Sequence, residues 1–382
     1  MSEILHPFWD EQRKGSVAGV LLMRTSELLN LASYRKRKDI SGAMETSHFS
    51  RIPGRLQYSV IALSILLLIG SLTAVAEECK MGSDLDAATK SALDNAAQKY
   101  YQMAAAGNTA ALKQSSTQSV ASDFSGIEAV LDKQKANFGQ SATVRNTYEL
   151  DAPGNGPIEK AEFFCGIANS SDRVDFAIPN LPAGRYGLVV LDAQGGKEPM
   201  AVSFVLQQYA SGDWKMAGFF ARPSSLAGHD GNWYLNQARA YKAKGQNHDA
   251  WFYYLTAWDL SAAVPFMSTT TLDRIGEEAQ TARPPDMPSA EQPMRLTAAN
   301  GKAYNITQLF ALPVSDGLGL VVKFQVPDIS NAAQTYQDNI AVMKDLVAKY
   351  PELREGFTSI VARAVAPSGQ DYGTLLAMKD VK

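Results

Sequence analysis

Chemistry-bearing motifs are what this 382-residue chain has least of. It contains no Walker-type phosphate loop, no Gly-x-Gly-x-x-Gly turn, no Cys-x-x-Cys pair and no His-Glu-x-x-His run, so the activities those patterns support have no signature here. Histidine is scarce, at four residues, and only His229 and His248 follow position 76. Two histidines cannot complete a structural zinc site without carboxylates. No metal and no cofactor is therefore expected, and both residues, each beside an aspartate (Asp230, Asp249), read as solvated turn positions. The runs Gly154-Asn155-Gly156 and Gly317-Leu318-Gly319 read as turns: Pro157 lacks an N–H for a phosphate, and neither run leads a helix. A basic excess is missing too. The net charge is −3, and residues 77–382 alone carry −6, which argues against nucleic acid as a partner.

Charge is wholly absent from residues 56–76, LQYSVIALSILLLIGSLTAVA. About 20 apolar residues in a helix cross a lipid core roughly 30 Å thick. The run also has the three parts of a secretory signal: Arg51 and Arg55 ahead, an apolar centre, and the small-residue exit Ala74-Val75-Ala76. Two readings follow, cleavage after Ala76 or retention as a transmembrane anchor. Both leave the basic side, with its Arg35-Lys36-Arg37-Lys38 cluster, in the cytoplasm. Both place residues 77–382 outside it, in the periplasm or beyond. Residues 1–55 are then a basic lead, either a cytoplasmic arm or a stretch upstream of a true start at Met44.

Cysteine is nearly absent as well. Cys79 and Cys165 are the only two, and both lie past the apolar run. On an oxidising side they can pair, or they can remain as two free thiols. Cys165 sits in the strand-like run Phe163-Phe164-Cys165-Gly166, with no histidine near in sequence, and reads as structural rather than nucleophilic.

What the chain does contain is an ordered change of texture. Leu93, Ala96, Ala97, Tyr100, Met103 and Ala104 follow helical spacing, Gly107-Asn108 stops that helix, and two more helices follow before Gly139. Short β-rich runs at 143–150, 163–167, 173–178 and 187–191 come next, then an alternating hairpin, QQYASGDWKMAGFFARP, that ends at Arg222-Pro223. Helices followed by an antiparallel run closing on this hairpin resemble the nuclear-transport-factor-2-like (cystatin-like) α+β cone, especially small versions in exported bacterial proteins. The resemblance covers residues 84–223. It implies helices on a curved antiparallel sheet around a pocket, and polar groups such as Tyr100, Tyr101 and Asp175 as candidate ligand-binding residues. Members of that family include enzymes, binding modules and interaction domains, so the fold alone does not fix an activity.

Between 229 and 282 the pattern returns to helix. Tyr234, Tyr241, Gly245, Ala250, Tyr254 and Ala257 resemble one tetratricopeptide repeat, with Gln237, Ala238 and a late Pro265 as departures. One such hairpin is not stable alone and must pack on a neighbour. Its aromatics exceed what one face can bury, so Trp233, Trp251, Tyr254 and Trp258 form a candidate interaction patch, with core packing as the competing explanation. Residues 283–293 hold four prolines and read as a linker. Residues 294–382 read as ββαββ, one amphipathic helix on a four-stranded layer.

The expectation is an α+β protein, exported or membrane-anchored, acting as a non-catalytic binding or scaffold protein whose partner is another exported or membrane protein. The alternative is an enzyme of isomerase or hydrolase type acting on a small apolar substrate inside the cone.

Overall fold

The computed structural model describes residues 77–167, 170–299, 301–314 and 317–382. The basic lead, the run 56–76 and the cut after Ala76 lie outside these residues. Among the described residues no helix is long and apolar enough to cross a membrane. The chain is an α+β protein.

The first strand, β1 (Glu78–Met81), precedes helix α1 (Ala87–Ala105). Asp86 starts that helix by accepting the Thr89 amide at 2.9 Å, which satisfies one of the N–H groups a helix start leaves unpaired. Three short helices follow: α2 (Thr109–Gln114), α3 (Gln118–Ser122) and α4 (Ser125–Gln134). Six strands come next: β2 (Ser141–Ala152), β3 (Ile158–Cys165), β4 (Val174–Leu181), β5 (Gly184–Gln194), β6 (Met200–Gln208) and β7 (Trp214–Pro223).

These strands do not form one sheet. The larger sheet has the order β1-β2-β5-β6-β7, every neighbouring pair antiparallel. Strands β3 and β4 leave it and pair with a distant strand, β10 (Met267–Thr269), in the order β10-β4-β3. The larger sheet is covered on both faces. Val189 and Leu191 of β5 join the core under the helices, with Leu93, Tyr101 and Phe204. Leu188 and Val190 join the core against the smaller sheet, with Phe163 and Phe176. A strand buried on both faces has no polar side to alternate with, which is why residues 187–191 read Gly-Leu-Val-Val-Leu. Helix α1 lies directly on this strand: a Cβ at Gly187 would fall 2.1 Å from Leu93 Cδ2. Cys79 of β1 and Cys165 of β3 form a disulfide between the two sheets, with Cα atoms 5.1 Å apart and a sequence separation of 86.

Two short paired strands, β8 (Ser225–Leu226) and β9 (His229–Asp230), lead into helices α5 (Gly231–Ala243), α6 (Asn247–Ser261) and α7 (Thr270–Ala282). The last third contains β11 (Met294–Thr297), β12 (Ala303–Val314), β13 (Gly317–Gln325), helix α8 (Ala332–Lys349), the single turn α9 (Leu353–Gly356), β14 (Ser359–Val365) and β15 (Asp371–Ala377). These five strands form a sheet in chain order. Only β13 and β14, which α8 connects, run parallel. The ββαββ expectation is corrected to βββαββ: β11 is four residues long, and its alternation of Met294 and Leu296 is too brief to read as a strand without its partner β12.

The helical hairpin and this last sheet share one core. Tyr234, Trp251 and Phe252 belong to the same cluster as Leu320, Phe324, Met343 and Ile360. Residues 283–293 are docked rather than free, with Pro284 and Pro288 buried.

Candidate functional site

Under the helices, where the cone would hold its ligand, the interior is filled. Leu93, Phe138, Phe204, Phe219 and Met216 are buried there together. The Tyr100 hydroxyl donates to the Trp214 carbonyl at 2.6 Å, and the Tyr101 hydroxyl donates to the Gly139 carbonyl at 2.9 Å. Burial raises both phenols above their ordinary pKa. Each hydroxyl thus pins a helix residue to the strand region opposite it. Asp175 is not brought to them. It lies on the smaller sheet, across the larger one from the tyrosines, pairs with Arg173 at 3.1 Å, and stands in register with Phe164 and Ser268. The three candidate ligand-binding residues therefore share no pocket.

The aromatic patch also divides. Trp251 and Tyr254 are wholly buried, while Trp233 and Trp258 are half-buried. Of the two readings of these aromatics, core packing holds for Trp251 and Tyr254, and the four do not form one exposed patch. Residues 250–255 are apolar or aromatic all round the helix, and α5, α7 and the last sheet cover them. Trp251 lies under the Arg283 guanidinium at 5.8 Å, and the Tyr254 hydroxyl donates to Glu278 at 3.2 Å. Trp233 stacks on His229 at 3.8 Å, and Trp258 packs at the border of two cores.

The polar groups that do converge lie at the start of α6. His248 is 8% exposed and Asp249 is fully buried, so the reading of His248 as a solvated turn residue is corrected. His248 Nδ1 is 3.1 Å from a Glu352 carboxylate oxygen, and Nε2 is 3.2 Å from one of Asp286. Its ring lies 4.1 Å from that of Tyr350, whose hydroxyl donates to Asp286. The Asp286 carboxyl is held below its ordinary range: burial opposes this, but the Tyr350 hydrogen bond and the neighbouring imidazole outweigh it. One imidazole thus ties the helical hairpin to the proline-rich stretch and to the turn after α8.

Asp249 faces the other side of this joint. Neither carboxylate oxygen has a hydrogen-bond partner, and the carboxyl rests on Gly356, where a Cβ would come within 2.6 Å of it. Burial, and then the charges of Glu352 and Glu355, push its pKa up to about 8, with Lys244 opposing. Around it the Tyr253 hydroxyl donates to the Gly356 carbonyl at 2.9 Å and the Tyr241 hydroxyl to the Glu355 carbonyl at 3.1 Å. Lys244 pairs with Glu355 at 2.9 Å. Among the described residues no group of three His, Cys, Asp or Glu side chains could hold a metal ion. The joint fastens three segments of the chain together.

Local sequence signals this joint weakly. His248 and Asp249 follow a Gly-Gln-Asn turn, and Asp286 stands between prolines, but their partners are 38 and 104 residues apart. Elsewhere, a cavity of about 130 Å³ opens between α6, β12 and the end of β7, walled by Pro223, Leu226, Phe252, Leu255 and Phe310. Comparison with family models, with curated proteins and with solved structures returns no match.

Proposed function

We propose that this chain works outside the cytoplasm, exported or membrane-anchored, as a non-catalytic binding or scaffold protein whose partner is another exported or membrane protein. In this reading residues 84–223 form a nuclear-transport-factor-2-like unit and residues 229–282 a tetratricopeptide-like hairpin mounted on the C-terminal layer. The observation that carries the location is the Cys79–Cys165 disulfide, which uses both cysteines of the chain. Persistent structural disulfides belong to oxidising compartments. The non-catalytic part is supported by how the polar groups are used. Tyr100 and Tyr101 donate to backbone carbonyls inside a filled core, and both ring nitrogens of His248 face carboxylates.

The test is thiol trapping in intact cells combined with fractionation. The expected result is a body recovered outside the cytoplasm that takes up a maleimide only after reduction, at two positions. Two thiols reactive without reductant, or recovery in the cytoplasm, would overturn the location. Turnover of a small apolar substrate that survives purification, and is lost on replacing Asp175, would return the enzyme reading.

A further inference from the structure

We propose that Phe164 and Ile167 form a lipid-contacting lip that rests on the outer leaflet of the membrane from which the chain emerges. This rests on the anchored reading of residues 56–76. Strand β3 alternates: Ala161, Phe163 and Cys165 are buried against the larger sheet, which turns Phe164 to the opposite, outer face. Phe164 is 66% exposed and Ile167 is 77% exposed, the two most exposed large apolar side chains among the described residues. Single exposed apolar residues are ordinary on protein surfaces. Here the position is what matters.

The apolar run ends at Ala76, three residues before Cys79. Three residues of extended chain reach at most about 11 Å. Cys79 is bonded to Cys165, with Cα atoms 5.1 Å apart, and Phe164 is the next residue along β3. Phe164 therefore lies within roughly 20 Å of the last residue of the apolar run, and Ile167 within roughly 24 Å. If that run stays in the bilayer, the disulfide holds this corner of the body at the membrane surface, and an aromatic side chain there sits where interfacial belts place theirs.

The basic side chains beside the lip face carboxylates. Lys160 bridges to Glu162, Arg173 to Asp175 and Asp273, and Lys80 to Glu78 at 3.2 Å. Among the described residues the lip has no cluster of unmatched basic side chains to seek anionic lipid, so the contact is apolar, and zwitterionic lipid suffices.

The experiment uses the full chain reconstituted in phosphatidylcholine vesicles carrying lipids brominated close to the headgroup. Phe164→Trp, Ile167→Trp and, as a distant control, Leu375→Trp are each compared with the parent protein. Leu375 lies on the edge strand β15 and is 61% exposed. For the first two, the added fluorescence is expected to shift to shorter wavelength and to be quenched by the brominated lipid, at low and high salt alike. For Leu375→Trp it is expected to be unquenched. Retention of the chain in floated vesicles with no quenching at positions 164 and 167 would overturn this proposal alone, as would equal quenching at 375. Loss of the chain from the vesicles would overturn the anchored reading and this inference with it. Photo-crosslinking from position 164 into a second copy of the chain, in place of lipid quenching, would assign the lip to self-association and overturn the lipid contact.

Discussion

Replacing Asp249 with Asn tests the buried joint directly. In the folded chain the Asp249 carboxyl titrates at about 8, against 3.8 for the unfolded group. A raised folded pKa means that the folded state binds the proton more tightly. The acid therefore favours folding fully below about pH 4, and that contribution is lost as pH rises through about 8. Each unit of difference is worth about 1.4 kcal/mol, so the ceiling on the loss between pH 4 and pH 7 is about 4 kcal/mol. Relaxation around the charge, with Lys244 nearby, brings the expected loss to about 2 kcal/mol. Asn has the volume of Asp, which matters because Gly356 leaves no room for more, and it never ionises. Urea unfolding of both proteins across this pH range, with the disulfide intact, should show the parent losing stability toward pH 8 while the Asn variant does not. The gap should open with rising pH and be near zero at pH 4. Asp286, whose folded pKa is lowered, acts in a separate window: its contribution is present above about pH 4 and is lost as pH falls below that. Parallel stability curves for the two proteins between pH 4 and pH 8 would refute the reasoning, because they would mean that Asp249 is not a buried acid in the native state.

Gly356→Ala should cost about 1–3 kcal/mol in the parent and markedly less in an Asp249→Ala background, a double-mutant cycle in urea measuring the contact between the two. Gly187→Ala should cost a similar 1–3 kcal/mol by forcing Leu93 and helix α1 away from β5, seen as a lower thermal midpoint, whereas an unchanged midpoint would place α1 elsewhere. Removing the disulfide with Cys79→Ser and Cys165→Ser together should lower stability by up to about 4 kcal/mol, as expected for closing a loop of 86 residues, and calorimetry of the two proteins checks it. Tyr101→Phe should cost about 1 kcal/mol through the bond to Gly139 and leave any ligand binding untouched; a selective loss of binding would contradict the filled interior.

Local periodicity carried the elements but not their assignment to sheets. The spacing of Leu93, Ala97, Tyr100 and Ala104 already marks one buried face of α1, and all four are buried. Strands β3 and β4 were equally legible as strands. Nothing within them says that they leave the neighbours of β2 and β5 for a second sheet, because that choice is made by β10, three residues contributed from some ninety positions downstream. The uninterrupted apolar run of β5 was the available sign of a second covering layer. Similarly, the aromatic excess of α6 was visible, but an apolar surface all round a helix signals burial on every side rather than an exposed patch. The proline count of residues 283–293 signalled a chain that cannot be helical. It could not show that Asp286 would be fixed by His248 and Tyr350.

That docking decides what the helical hairpin can present to its surroundings. A pair of antiparallel helices needs neighbours to cover its apolar face, and in helical-repeat arrays those neighbours are further hairpins that leave a concave groove. Here the neighbours are α7 and the last sheet. Phe252 meets Phe357 edge-on at 5.7 Å, and the Tyr253 and Tyr241 hydroxyls both reach the chain at 355–356. Burying aromatic side chains of this size contributes about 2–3 kcal/mol each. The hairpin therefore acts as a buried brace between the two ends of the body. What this brace leaves exposed includes the open edge of β15, where Leu375 is 61% exposed, and not the aromatic helix itself.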